Sequence, residues 1–237
     1  MDQKLLKTSW KQRTVIIVIA VLMVFSFIAT YTAILLSNKK SSDNTSSEDN
    51  PELTAIQEEY QKKANEITEY ATTLSGKYFD SFKGYKSRVK AYNATTANSD
   101  GLKTSDIVEG TGRELKADDT DYLAYYIGWC ADESIFDSSF NDNDNPTALK
   151  TPLSAAAGLI EGWNQGVIGM KLGGVREITI PGELAYGETQ EICGGKNSPL
   201  KFVIFTFADD KMKTLSSEAD KIYNRLITAY YGSQSNN

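Results

Sequence analysis

Histidine is absent from all 237 residues, and cysteine occurs only twice, at Cys130 and Cys193. Without histidine there can be no imidazole general base, no Ser-His-Asp or Cys-His nucleophile pair and no histidine-bearing zinc site, and two cysteines are too few for an all-cysteine one. Neither a metal nor a cofactor is expected. Basic charge is also scarce over most of the chain: residues 1–40 are net +5 and the remainder net −11, giving −6 overall. A surface of that sign repels phosphate, so nucleic acid is excluded as a partner. Internal repeats are lacking too, and with 41% hydrophobic residues the composition is that of a globular domain with appendages rather than a disordered chain.

The basic excess at the start has a different meaning. Thr14 to Leu36 is 23 residues without a charge; at about 1.5 Å per residue it is long enough to cross a hydrocarbon core of roughly 30 Å. Lys4, Lys7, Lys11 and Arg13 precede it, Lys39 and Lys40 follow it, and the positive-inside bias places residues 1–13 in the cytoplasm and the bulk outside. The competing reading, a cleaved leader, has an apolar core of about 7 to 15 residues ending at a small-x-small site, and FIATYTAILL offers no good one. An uncleaved membrane anchor is therefore expected at 14–36. Residues 37–50 contain no apolar side chain and read as a solvated tether.

From Pro51 the spacing predicts a helix: Leu53, Ile56, Tyr60, Ala64, Ile67, Ala71 and Leu74 recur at steps of three and four. This stripe needs cover, either from its own domain or from a second copy, which makes residues 51–74 a candidate homodimer surface. Gly76 and Gly84 are expected to break the helix, with Tyr78, Phe79, Phe82 and Tyr85 on a second short one ending near 88. Beyond that the period shortens. Val89–Tyr92, Leu102–Val108, Tyr122–Trp129, Val175–Ile180 and Leu200–Phe207 read as strands, with one helix-like stretch at Trp163–Met170. The pattern implies an α+β domain over 89–208, an antiparallel sheet closing over a short helix. Residues 209–237 return to helical spacing at Met212, Leu215, Ala219, Ile222, Leu226 and Tyr230. Asn44-Thr-Ser and Asn93-Ala-Thr match the glycosylation triplet, which is common by chance, and no role is assigned to them.

Three segments are more specific than their parts. Tyr126-Ile-Gly-Trp-Cys is followed by Ile135-Phe-Asp-Ser-Ser139; Leu159-Ile-Glu-Gly-Trp-Asn-Gln-Gly-Val-Ile-Gly-Met-Lys-Leu-Gly-Gly174 comes next; Ile180-Pro-Gly-Glu-Leu-Ala-Tyr-Gly187 then leads to Asn197-Ser-Pro-Leu-Lys-Phe202. In order and spacing these resemble the FKBP-type peptidyl-prolyl cis-trans isomerase family, and Asp106-Ile-Val-Glu-Gly-Thr-Gly112 is similar to that family's opening strand and turn. The implied activity needs no nucleophile. Twisting an X-Pro amide costs about 18 to 20 kcal/mol because the planar bond loses its resonance, and an apolar pocket that binds the twisted amide better than the planar one lowers that barrier.

The resemblance implies that Trp163 is the floor of such a pocket, with Tyr126, Phe136 and Phe202 as walls. It likewise implies that Asp137 and the Tyr186 hydroxyl are polar groups orienting the peptide, and that Leu159 and Ile160 form a rim whose Ile160 N–H can hold a substrate carbonyl. Either Leu149 or Leu153 stands where the family has a further aromatic wall. Two departures stand out: Gly187–Asn197 lacks the family's isoleucine-proline-proline run, and Phe140–Gly158 is longer than in small members, without an arginine to pair with the aspartate. Cys130 and Cys193 flank the proposed pocket and are consistent with one disulfide in an oxidising compartment, or with two free thiols.

Two functions follow as expectations. The first is a membrane-anchored isomerase, with its domain outside the cytoplasm, acting on proline-containing segments of client proteins. The second is a catalytically weak binding module or chaperone of the same fold, using the pocket and flanking helices to hold partners.

Overall fold

The computed structural model describes residues 51–141 and 148–234, so the expected anchor at 14–36 and the tether at 37–50 lie outside the described residues. Among the described residues no helix is long and apolar enough to cross a membrane.

Helix α1, Pro51–Phe82, is 32 residues, about 48 Å at 1.5 Å per residue. The break expected at Gly76 does not occur. An interior glycine costs about 1 kcal/mol, whereas Leu74 and Phe82 on either side of it are 2% and 1% exposed, and burying such a side chain contributes about 1.5 to 3 kcal/mol. The helix instead tightens into a 3-10 segment at Lys83–Arg88, around Gly84. Val89–Tyr92, expected as a strand, is an irregular strap: the indole N–H of Trp129 donates to the Lys90 carbonyl and the Tyr92 hydroxyl to the Pro199 carbonyl, so its bonds run to side chains and loops rather than to a ladder. A short helix not anticipated from the sequence, α2 at Ala94–Ser99, follows, its N-terminus capped by Asn93 accepting from the Thr96 N–H at 2.8 Å.

The sheet is antiparallel, built from β1 (Lys103–Val108), β2 (Leu123–Trp129), β3 (Ile135–Ser138), β6 (Leu153–Ser154), β7 (Val175–Ile180) and β8 (Leu200–Phe207). Its order is β1-β7-β8-β2-β3, with β6 beside the start of β2. Between β3 and β6 the chain leaves the sheet at Ser139 and makes a small hairpin, β4 (Phe140–Asn141) with β5 (Ala148–Leu149). Ser139 bridges the gap, its N–H donating to the Tyr126 carbonyl and its hydroxyl accepting the Tyr126 N–H, both at 2.9 Å.

Helix α3 is Glu161–Gly166, shorter than the expected 163–170. It lies flush on β7 because a Cβ at Gly162 would sit 2.2 Å from Ile180, and one at Gly166 would sit 2.7 Å from Ile178. Arg176 of β7, 6% exposed, donates to the carbonyls of Gly166 and Ile168 at the end of this helix and to both carboxylate oxygens of Asp106.

The central strands β7, β8 and β2 are buried on both faces, whereas edge strand β1 is largely exposed. Tyr122, Ala124, Trp163, Ile178, Ile180, Leu200, Phe202 and Ile204 form one core on the α3 side. The other takes the alternate residues Leu123, Tyr125, Ile127, Trp129, Val203 and Phe207, with Ala71, Leu74 and Phe82 of α1. Helix α4, Asp210–Gln234, then covers the start of α1: Ile56 packs with Ile222 and Leu226. The stripe that made residues 51–74 a candidate dimer surface thus has cover within the chain.

Candidate active site

Strand β2 alternates strictly, and one face of it begins the site. Tyr122, Ala124, Tyr126 and Gly128 point to the α3 side. A Cβ on Gly128 would meet the rings of Phe202 and Phe136 at 2.7 and 2.8 Å, so this position must be glycine for the two rings to reach the strand. Phe136 and Asp137 arrive on β3, Phe202 on β8, and Trp163 on α3.

The four aromatic residues named from the sequence converge. Ring centroids lie 5.4 Å apart for Tyr126–Trp163, 5.3 Å for Trp163–Phe202, 5.6 Å for Phe136–Phe202 and 6.3 Å for Tyr126–Phe202. Three of these pairs are edge to face, the arrangement favoured by ring quadrupoles. Trp163 and Phe202 are 2% and 4% exposed and form the closed end; Tyr126 and Phe136 are half-buried and form the open side. The Trp163 indole N–H donates to the Tyr122 hydroxyl at 3.1 Å, which fixes its rotation. Tyr122 was not singled out by sequence reasoning, although its place two and four residues ahead of Ala124 and Tyr126 on one face was a usable signal.

The polar groups lie at the mouth. The Tyr126 hydroxyl donates to a carboxylate oxygen of exposed Asp137 at 2.5 Å. Burial first, then the hydrogen bond to Asp137, pushes the Tyr126 phenol well above the ordinary tyrosine range. Tyr186 is half-buried in the loop after the 3-10 turn Gly182–Leu184; burial and the negative charge of Asp137 raise its phenol too. Both hydroxyls are neutral donors at physiological pH.

Leu159 and Ile160 are half-buried where the chain enters α3, against the same core. Ile160 is the extended N-cap of α3, with its carbonyl accepting from the Trp163 and Asn164 N–H groups, while its own N–H lies outside the helical bonding. Leu153 on β6 packs against the site's core. Leu149 does not: it is 4% exposed in the core beneath α1, its N–H held by Ser75 at 2.7 Å. The hairpin that leaves the sheet at Ser139 carries it to the opposite face, which corrects its expected place as a pocket wall.

Cys130, just past β2, and Cys193, in the loop beyond Tyr186, are joined in a disulfide with Cα atoms 5.3 Å apart. The bridge ties that loop to the end of the pocket strand.

An antiparallel sheet wrapped over a short helix thus brings four aromatic rings together, with the Tyr126 and Tyr186 hydroxyls and the Asp137 carboxylate beside them. Comparison with known proteins assigns this arrangement to a family. The family described as FKBP-type peptidyl-prolyl cis-trans isomerase matches residues 112–206. A protein named "FK506-binding protein" from Streptomyces anulatus is 41% identical over 105 residues, covering 44% of this chain and 80% of that protein. Another of that name, from Neisseria meningitidis serogroup B, is 37% identical over 108 residues, covering 44% of this chain and 90% of that protein. The solved structure of AtFKBP13 is 30% identical and covers 46% of this chain and 92% of that one, with a TM-score of 0.35. The chain belongs to the FKBP-type peptidyl-prolyl cis-trans isomerase family. It is a peptidyl-prolyl cis-trans isomerase, and its domain takes proline-containing peptide segments as substrate.

Proposed function

We propose that the chain is a membrane-anchored isomerase whose domain lies outside the cytoplasm and eases X-Pro rotation in folding client proteins. The convergence of Tyr126, Phe136, Trp163 and Phe202, linked by four ring pairs with centroids 5.3 to 6.3 Å apart, carries the site assignment. The proline ring sits on Trp163 between the other three rings and leaves water. The amide preceding it then twists in an apolar setting that favours the less polar, out-of-plane form. Asp137, the Tyr126 and Tyr186 hydroxyls and the Ile160 N–H orient the peptide on either side by hydrogen bonds. Leu153, Leu159 and Ile160 form the rim. No bond to substrate forms, so the lack of histidine costs the mechanism nothing.

Two observations support the location: the 23 uncharged residues at 14–36 with basic residues ahead of them, and the Cys130–Cys193 disulfide, a bond that persists in oxidising compartments. The test has two parts. Isomerisation of a proline tetrapeptide by the full chain is compared with Trp163→Leu, chosen because it keeps most of the buried volume; a rate equal to wild type rejects the site. Carbonate extraction should leave the chain in the membrane pellet with residues 51–237 open to protease from the extracytoplasmic side, and recovery in the soluble fraction rejects the anchor.

A further inference from the structure

We infer that Asn98, on α2 and ahead of the family match at 112–206, is a positioning residue for the isomerase site, holding the loop that carries Tyr186. This rests on the reading of Tyr186 as a group that faces substrate. The Asn98 side-chain carbonyl accepts from the Gly182 N–H at 2.8 Å, and its amide nitrogen donates to the Asn197 carbonyl at 3.3 Å. Gly182 and Asn197 are the two ends of the loop. Inside it, the Gly187 N–H donates to the Gly182 carbonyl at 2.8 Å and the Asn197 N–H to the Gly187 carbonyl at 2.7 Å. Asn98 therefore closes a circuit of four hydrogen bonds: Asn98 to Gly182, to Gly187, to Asn197 and back. Gly187 is the residue next to Tyr186.

The chemistry of the circuit admits few substitutes. One short side chain must offer an acceptor to an N–H and, from a second atom, a donor to a carbonyl; a primary amide does both, a carboxylate or alkyl group cannot, and a hydroxyl has only a single oxygen to serve the two partners. The two loop ends are also in direct contact, since a Cβ on Gly182 would sit 2.0 Å from the Asn197 carbonyl oxygen. Asn197 and Gly187 hold positive φ angles of 52° and 54°, a conformation that needs outside support at a non-glycine residue. This loop lacks the prolines that stiffen its counterpart in the family. Asn98 grips its neck and the Cys130–Cys193 bridge its far bend. Helix α2 is itself anchored: Asn93 caps it, and Tyr92 just before it donates to the Pro199 carbonyl at 2.9 Å. Residues 89–99 thus hold the loop of a site residue from ahead of the family match at 112–206.

The experiment compares the full chain with Asn98→Ala, Tyr186→Phe and the double variant on a proline tetrapeptide. Thr95→Ala, exposed on the same helix, is the control, and hydrogen exchange across 182–197 and the urea midpoint are read for each. Asn98→Ala is expected to lower kcat/KM about three- to ten-fold, the scale of one or two lost hydrogen bonds, and to speed exchange across 182–197, with a urea midpoint near that of the control. In the Tyr186→Phe background the same substitution should lower kcat/KM no further. A fully additive effect, or Asn98→Ala with the kcat/KM of Thr95→Ala, overturns the inference alone. Tyr186→Phe with wild-type kcat/KM overturns the reading of Tyr186 and the inference with it.

Discussion

Tyr126 joins more functions than any other side chain in the site. Its ring meets Trp163 edge to face, its hydroxyl donates to Asp137, and its backbone N–H and carbonyl are both taken by Ser139. Replacing it with phenylalanine keeps the ring and removes one hydrogen bond to an ionised group, worth about 1.5 to 3 kcal/mol when fully sheltered and less at an exposed mouth. Tyr126→Phe should therefore lower kcat/KM by about ten-fold with a circular dichroism spectrum equal to wild type. The pH dependence follows in sign from the same environment. Burial and the Asp137 contact raise the phenol pKa, so the neutral donor persists beyond the ordinary tyrosine value of about 10. The kcat/KM profile should stay flat from about pH 7 to 10; an alkaline fall centred well below that value would count against Tyr126 as a buried donor. The convergence of the four rings was legible because three motifs placed them in family order. Tyr122 was not, because a buried tyrosine reads as core until its hydroxyl is seen to hold the indole of Trp163. Leu149 and Leu153 stood as alternatives because spacing alone cannot show that the chain leaves the sheet at Ser139 and carries Leu149 to the other core.

At the scale of elements, the site depends on how α3 is seated. Gly162 and Gly166 let it rest on β7, and Arg176 holds its last turn while pairing with Asp106 of β1. The Arg176 hydrogen bonds outweigh burial and lower the Asp106 pKa. A carboxyl whose pKa falls on folding stabilises the fold above its unfolded value, about 3.9, and that contribution disappears as pH falls through the folded value. The urea midpoint of Asp106→Asn should thus lie below wild type at pH 7, with the gap closing at pH values under about 3.9. Asp106 is half exposed, so screening keeps the gap small. A gap that persists undiminished in acid would mean that the charge is not what Asp106 contributes. The disulfide acts on another element, the loop after Tyr186. It spans 63 residues, and a bridge of that kind typically stabilises by about 2 to 4 kcal/mol. Denaturation in urea with and without reductant should differ by that amount, and equal curves would show that the bridge constrains nothing in the unfolded chain. Strands β2, β7 and β8 were legible from alternation and aromatic content. Helix α2 and the strap before it were not, because six residues of alanine, threonine, asparagine and serine carry no period, and the strap's bonds go to distant loops.

For the whole molecule, the second core was written in the sequence but not read. Strand β2, Leu-Ala-Tyr-Tyr-Ile-Gly-Trp, has no polar residue on either face; a sheet wet on one side would alternate. That run already required something to cover the far face, and α1 is that cover. The helical stripe at 51–74 posed the same question, and its answer lies more than 150 residues away, in α4, where no local pattern could point to it. Ile222 and Leu226 pack on Ile56, and Arg225 pairs with Glu59 at 2.9 Å across the same joint. Ending the chain at Ser216 keeps Met212 in the sheet's core and removes this cover. Burial of two large aliphatic side chains contributes roughly 3 to 6 kcal/mol, so the truncated chain should lose stability on that scale and expose the Leu53, Ile56 and Tyr60 stripe. A bare stripe of this kind binds hydrophobic dyes and pairs with another copy. Sedimentation of residues 51–216 against 51–237 is expected to show self-association in the shorter chain alone, with isomerase activity retained in whatever fraction stays folded, because α4 touches neither Trp163 nor Tyr126. Equal sedimentation and equal dye binding for the two chains would mean that α4 shields nothing, and that the stripe is covered some other way.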